Sequence, residues 1–220
     1  MRGRSLSVHF ETTQLPLTDL KRASKTVSGK LNDAFVASVL MAFRRYHQHH
    51  GYVDAGMLRT AMPINVRTDA TASKAGNQFV PMRFAVPIDI DDPIRSMNAV
   101  RELVQRERAE PALTLSDPIA NIVNRLPATA TTSLFGSMMR GVDFVTSNVP
   151  GAPIPVFVCG ARMLAQIAFG PLSGAAANIT LVSYGDDVNI GINTDPVAVP
   201  DPGVFLGFFE ESLGEITKLA

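Results

Sequence analysis

Residues 177–195 read ANITLVSYGDDVNIGINTD, and this stretch decides what kind of fold the chain can adopt. Asn178 to Tyr184 and Val188 to Asn193 read as two strands, with YGDDV as the tight turn between them. The turn is legible because Gly185 can take the positive φ that a primed hairpin turn demands. Upstream, the extended texture continues, with strands expected near Phe144–Asn148, Val156–Gly160 and Met163–Phe169. Downstream, a closing helix is expected from about Gly203 to Leu219.

The first half of the chain has a different texture. A strand over Leu6–Leu15 leads into a short helix opened by Pro16 and Thr18 and running through Lys25. Leu31 to His49 reads as a longer helix. Its first three turns (Ala34, Phe35, Val36, Val39, Leu40, Met41, Phe43) are apolar almost all round, as in a helix buried against a sheet. Extended segments at Met57–Val66 and Asn77–Ile88 flank a polar loop, and Pro93 opens an amphipathic helix to about Arg108. Ile119–Arg140 reads as two more helices broken at Pro127. Strands and helices mix without strict alternation, which predicts an α/β chain with a mixed sheet and packed helices, and no doubly wound parallel sheet.

Composition narrows the function. The 220 residues, 46% of them apolar, suit a packed domain, and 20 basic against 20 acidic residues leave no net field to draw in nucleic acid. Cys159 is the lone cysteine, so no internal disulfide framework is available, a reducing cytoplasmic setting is expected, and the thiol reads as buried and inert. No apolar run reaches the roughly 18 residues needed to cross a bilayer, so membrane contact would be peripheral. No P-loop, dinucleotide-binding glycine pattern or spaced ligand cluster appears, so neither a metal nor a nucleotide cofactor is expected.

Five strings occur in order along the chain: LNDAFVASVLMAFRRY (31–46), RTAMPINVR (59–67), GNQF (76–79), TSNVPGAP (146–153) and the opening stretch 177–195, with VPD soon after. As an ordered set they resemble the C-terminal half of the bacterial wax ester synthase/diacylglycerol acyltransferase family. The resemblance implies one half of a chloramphenicol-acetyltransferase-like two-domain fold. It also implies transfer of a long-chain acyl group from acyl-CoA, acting as cosubstrate, to diacylglycerol or a fatty alcohol. Residues 1–220 would then be a single C-terminal-type domain. The family's HHxxxDG signature, which carries the catalytic histidine, belongs to an N-terminal half ahead of every string quoted. The expected partners are therefore acyl-CoA, a lipid alcohol, and an N-terminal half or a second copy, with peripheral contact to membrane or lipid droplet. The competing reading is a non-catalytic acyl-binding or structural module.

Candidate site residues follow from both sources. Asn32 and Asp33 match the family's Asn-Asp pair, although locally Asn32 suits an N-cap and Asp33 a first-turn anion. In TSNVPGAP, Ser147 and Asn148 end a strand, Pro150 stiffens the exit and Gly151 admits close backbone approach, which suits substrate lining or an ordinary strand exit. Gly76 and Asn77 of GNQF are read as turn chemistry or cleft support. The cluster Lys21, Arg22, Lys25 and Lys30 could attract CoA phosphates, or form a solvated helix face. Ile119–Met139 could floor an acyl tunnel, or pack in the core.

HHGYVDAG (49–56) comes within one residue of HHxxxDG, with Ala55 in the glycine position. It reads as the polar end of the long helix, where imidazoles meet terminal carbonyls and Gly51 caps. The functional alternative makes His49 or His50 a general base supported by Asp54.

Overall fold

The computed structural model describes residues 3–5, 7–53, 56–65, 79–109 and 141–219. Its elements are β1 (His9–Pro16), α1 (Leu17–Lys25), α2 (Leu31–His49), β2 (Met57–Asn65), β3 (Phe79–Pro87) and α3 (Pro93–Arg108), followed by β4 (Phe144–Pro150), β5 (Phe157–Val158), β6 (Ala161–Arg162), β7 (Ala177–Tyr184), β8 (Asp187–Thr194) and α4 (Pro202–Thr217). The expected helices Ile119–Arg140 and the loop residues Gly76 and Asn77 lie outside the described residues.

Six strands form one mixed sheet in the order β1-β8-β7-β4-β2-β3. β4 runs parallel to both of its neighbours, β7 and β2, while every other pairing is antiparallel. The hairpin read from 177–195 is present, with Tyr184 opposite Asp187. Its turn has positive φ at Gly185 (+58°) and not at Asp186, as in a type II′ turn. At the other edge, Pro63 of β2 lies directly opposite Pro81 of β3.

Helix α2 is buried because its sequence leaves it no polar face over the first three turns; Ala34 to Phe43 are all buried. The Phe43 ring packs against Phe144 of β4 at 4.8 Å between centroids and against Phe205 of α4 at 4.7 Å, joining sheet and helices at one point. Each such fully buried ring stabilises by about 1.5–3 kcal/mol relative to exposure. Arg45 adds a surface link, with a pair of hydrogen bonds to Glu215 of α4 at 2.6 and 2.7 Å.

The second face of the β7–β8 pair is covered by chain, and here the sequence reading needs correction. Val156–Gly160 and Met163–Phe169 were both expected as strands. Only Phe157–Val158 and Ala161–Arg162 pair, as a short hairpin of their own, and residues 163–172 cross the sheet without joining a ladder. Side chains take over the role of that ladder. Asn193 donates its amide to the Gly170 carbonyl, Asn178 donates to the Pro171 carbonyl at 3.0 Å, and Thr180 steadies Asn178 at 2.9 Å. The strap lies so close that a Cβ at Gly191 would run into the Ala168 carbonyl. Apolar residues there gave the segment strand texture, but its backbone carbonyls are met by asparagine side chains on the two following strands, β7 and β8.

Cys159 is also corrected: it is exposed, at the tip of the β5–β6 hairpin. Among the described residues, no helix is long and apolar enough to cross a membrane.

Candidate active site at the carboxyl ends of the parallel strands

Parallel strands bring their carboxyl ends to one edge of the domain, the usual place for a ligand crevice in sheets of this kind. Here β2, β4 and β7 do so, and the β2–β4 ladder stops short of that end. The two strands pair only at Thr60 with Phe144 and Ala61 with Val145, although both continue for several residues more. Pro63 supplies the local reason, since it has no N–H to offer a ladder.

Polar groups stand where this ladder stops. Thr146 is 1% exposed and its hydroxyl has no hydrogen-bond partner. Two residues on, and so on the same face of β4, Asn148 is exposed. Asn32, in the first turn of α2, donates its amide to the Met62 sulfur of β2 at 3.4 Å. It is therefore not the N-cap expected from sequence. Lys30 holds that position, and Asp33 does the capping, its carboxylate accepting the Lys30 N–H at 2.8 Å. Burial pushes the Asp33 carboxyl above its ordinary value, against the opposing pull of the Lys30 N–H and the Arg101 charge.

Ser147 is half-buried in β4, and Pro150 and Gly151 follow at its exit. A Cβ at Gly151 would collide with the Ser183 carbonyl of β7, so this glycine serves the close approach of two backbones. The structure thus gathers Asn32, Ser147, Asn148, Pro150 and Gly151 at one end of the sheet. Thr146 was missed by sequence reasoning; an ordinary β-branched strand residue carries no signal of lacking a partner.

The histidines lie elsewhere. Helix α2 runs antiparallel to β2, so His47, His49 and His50 sit at its far end, about 22–27 Å from Asn32 at 1.5 Å rise per residue. His50 Nε2 is 3.3 Å from an Asp201 carboxylate oxygen, and its ring packs on Tyr46. His47 Nδ1 donates to the Phe43 carbonyl at 2.7 Å, and burial holds its pKa below the usual histidine value. These groups line an open cavity of about 550 Å³ with Tyr52 and Pro200. It is larger than the 310 Å³ hollow between Arg59 and Arg83 on the sheet, and its polar lining consists of the His47 and His50 imidazoles and the Tyr46 and Tyr52 hydroxyls. His50 and His47 both have protein partners, and the partner of His50 is Asp201; Asp54 lies outside the described residues. His49 is the last residue of α2, His50 its C-cap, and Gly51 follows at φ +80°, as the helix-terminus reading expects of these residues.

Lys21, Arg22, Lys25 and Lys30 are all exposed, with Arg22 turned to Asp19 at 3.3 Å, in keeping with a solvated helix face. Among the described residues, no group of three or more His, Cys, Asp or Glu is placed to hold a metal ion.

Comparison with known proteins decides the family. Residues 75–217 match the family described as the WS/DGAT C-terminal domain. The chain belongs to the WS/DGAT family. It is 34% identical over its whole length to the putative diacylglycerol O-acyltransferase Rv2484c of Mycobacterium tuberculosis, covering 44% of that protein. It is 25% identical over 96% of its length to the probable diacylglycerol O-acyltransferase tgs1 of the same organism, covering 47% of it. WS/DGAT members thus continue well beyond the matched part, and this chain spans about half the length of the curated relatives it matches. Among solved structures, the wax ester synthase/diacylglycerol acyltransferase from Marinobacter aquaeolei VT8 superposes over 97% of this chain and 49% of its own, with TM-score 0.68 and 20% identity. A condensation domain from the enacyloxin polyketide synthase superposes with TM-score 0.60 at 10% identity, a likeness of fold.

Proposed function

We propose that this chain is the C-terminal half of an acyl-CoA-dependent O-acyltransferase of the WS/DGAT family, moving a long-chain acyl group to diacylglycerol or a fatty alcohol in triacylglycerol or wax ester synthesis. The observation that carries this is where the β2–β4 ladder stops. It does so toward the carboxyl ends of parallel strands, with Asn32 on Met62 of β2 and, on one face of β4, Asn148 and the unpartnered Thr146 hydroxyl.

In the reaction, the acceptor hydroxyl attacks the thioester carbonyl, a base takes the hydroxyl proton, and CoA leaves as the thiol. The described residues on this side of the crevice offer amides and hydroxyls, which orient substrate and hydrogen-bond developing negative charge. They offer no histidine, because His47, His49 and His50 are at the other end of α2 and His9 is in β1, and the Asp33 carboxylate is engaged as the helix cap. The base is the histidine of an HHxxxDG half, provided on the same chain or another. Acyl-CoA is a substrate and no resident cofactor is required. The reaction takes place in the cytoplasm, at the surface of a membrane or lipid droplet where the acceptor resides.

The test is reconstitution. The chain is co-expressed with the part of Rv2484c that it does not match, and CoA release is followed with a long-chain acyl-CoA and diacylglycerol. Turnover by the pair and not by this chain alone is the expected result. Turnover by this chain alone, abolished by His49→Ala with His50→Ala, would return the active site to HHGYVDAG. No turnover by the pair, with both parts shown folded by circular dichroism, would remove the enzymatic reading.

A further inference from the structure

The face of the sheet turned away from α2 carries two arginines side by side. Thr60 of β2 pairs with Phe144, whose ring packs on Phe43 of α2, so Thr60 is on the helix face. Its neighbours Arg59 and Ala61 are therefore on the other face. Across the β2–β3 ladder Arg59 lies opposite Ala85, and Arg83 lies opposite Ala61. The two arginines are thus diagonal neighbours, with Cβ atoms within about 7–8 Å and both long side chains in reach of one site. Each faces an alanine, so no bulky side chain fills the space between them. What remains is the 310 Å³ hollow, lined by Arg59, Arg83, Phe84, Ala85, Gly141 and Val142. A Cβ at Gly141 would lie 3.7 Å from Arg59 Nη1, so the guanidinium rests over glycine backbone.

The fold leaves these two charges unneutralised. Among the described residues neither guanidinium meets a carboxylate, although Arg22, Arg44 and Arg45 each do, at 3.3, 3.7 and 2.6 Å. Asp143, just before β4, is the carboxylate nearest in the ladder, and it serves the backbone. Its Oδ2 accepts the Arg59 N–H at 2.8 Å, while its own N–H donates to the Arg59 carbonyl at 2.7 Å. Two like charges held on adjacent strands repel each other, and an anion between them removes that repulsion.

We propose that this hollow is a phosphate-binding site in which the Arg59 and Arg83 guanidiniums hold one phosphate group, carried by a soluble compound or by a phospholipid headgroup. Guanidinium forks match the paired oxygens of carboxylate and phosphate alike. A carboxylate is saturated by one fork, whereas a tetrahedral phosphate presents oxygens to both. Two arginines are too few to hold the domain on an anionic membrane by charge alone, which takes clusters of about 4–8 basic residues. The site is separate from the acyl-transfer crevice: Thr146 and Asn148 share the helix face with Phe144, and Arg59 is on the opposite one. It does not depend on where the catalytic histidine comes from.

The experiment titrates the 220-residue chain with inorganic phosphate at constant ionic strength, which holds screening fixed, and follows the backbone amides by nitrogen-15 NMR. Saturable shifts are expected, confined to Arg59, Arg83 to Ala85, Gly141 and Val142. Arg59→Gln and Arg83→Gln, both at exposed positions and shown folded by circular dichroism, should each weaken binding at least about tenfold, as for loss of a charge-assisted pair of hydrogen bonds. Arg83→Lys keeps the charge without the fork and should recover only part of that loss. Arg95→Gln, an exposed arginine on α3, should change nothing. Two further arms identify the carrier. Glycerol 3-phosphate that binds as phosphate does, without flotation of the chain on phosphatidylcholine vesicles containing phosphatidic acid, assigns a soluble compound; flotation that Arg59→Gln abolishes assigns a headgroup. Both support the site. Shifts that never saturate, saturable shifts that survive both glutamine variants, full recovery in Arg83→Lys, or acetate binding as tightly as phosphate each overturn the proposal.

Discussion

The two ends of helix α2 look alike in sequence, and the structure separates them. The C-terminal end carries three histidines and a near-match to a catalytic signature, yet His47 is bound to the Phe43 carbonyl and His50 faces the Asp201 carboxylate. The N-terminal end carries Asn32 and Asp33, residues that any helix start could use, but it abuts the point where the β2–β4 ladder stops and a buried hydroxyl without a partner. The proposed site follows the sequence preference for Asn32, Ser147 and Asn148 over the histidines, and the Thr146 hydroxyl adds a polar group that the fold does not use.

The comparison breaks most readily on activity. In the reconstituted enzyme, Asn148→Ala is expected to lower kcat/KM about tenfold to a hundredfold, as for loss of one oriented hydrogen bond worth about 1.4–2.7 kcal/mol, with unfolding midpoint unchanged. His49→Ala should leave kcat/KM within about twofold, and the reverse ranking would move the site to the histidine end.

Gly151→Val should cost about 1–3 kcal/mol in urea unfolding, because its side chain must displace the Ser183 carbonyl and pull β4 from β7. An unchanged midpoint would mean that the strand exit is looser than described and that Asn148 is not rigidly placed.

The third prediction concerns acid. Burial opposes ionisation of Asp195, but N–H groups of Ser5, Val197 and Ala198 and the Ser5 hydroxyl outweigh it and hold its carboxyl below the ordinary 3.8. A carboxyl depressed on folding adds stability that is fully present above its unfolded value and is lost as pH falls through the folded one. His47, depressed by burial, acts in the same direction, with its contribution present above 6.5 and lost as pH falls through its folded value. Asp195→Asn should therefore flatten the loss of stability below about pH 4 while lowering stability at neutral pH, in urea titrations across that range. An unchanged acid limb would show that this carboxylate does not bind the histidine end together.

The smallest effect discriminates most sharply. Thr146→Val removes a buried hydroxyl that bonds nothing, so stability should hold or rise by up to about 1 kcal/mol while acyl transfer falls. A fall in both would mean that the hydroxyl is satisfied within the fold and has no capacity to spare.

Much of the fold was legible because its signals are local. The long apolar face of α2, the proline that opens α3 and Gly185 in the hairpin turn each act within a few residues, and those elements appear where the sequence places them. The strap over 163–172 was misread because its partners, Asn178 and Asn193, lie on other strands and act through side chains. The site was half legible. Asn32, Ser147, Asn148, Pro150 and Gly151 could be named, but what brings them to one end of the sheet is parallel pairing across some eighty residues, with Pro63 as the local trace of where the β2–β4 ladder stops. Asn32 illustrates the limit, since its side chain was assigned to the backbone of its own helix and turns instead to Met62.

The facing prolines of β2 and β3 have a consequence for how the molecule behaves in a crowded solution. Neither Pro63 nor Pro81 can donate, so they form a non-hydrogen-bonded pair, and the Pro81 nitrogen points to the free edge of the sheet. Pro87, an even number of residues along, points the same way. An incoming strand would find two donors missing from that edge within seven residues, a count set by the span of the two positions. Edge-to-edge growth into fibrillar assemblies is thereby discouraged at β3 by backbone chemistry alone, at no expense to the pairing that faces inward.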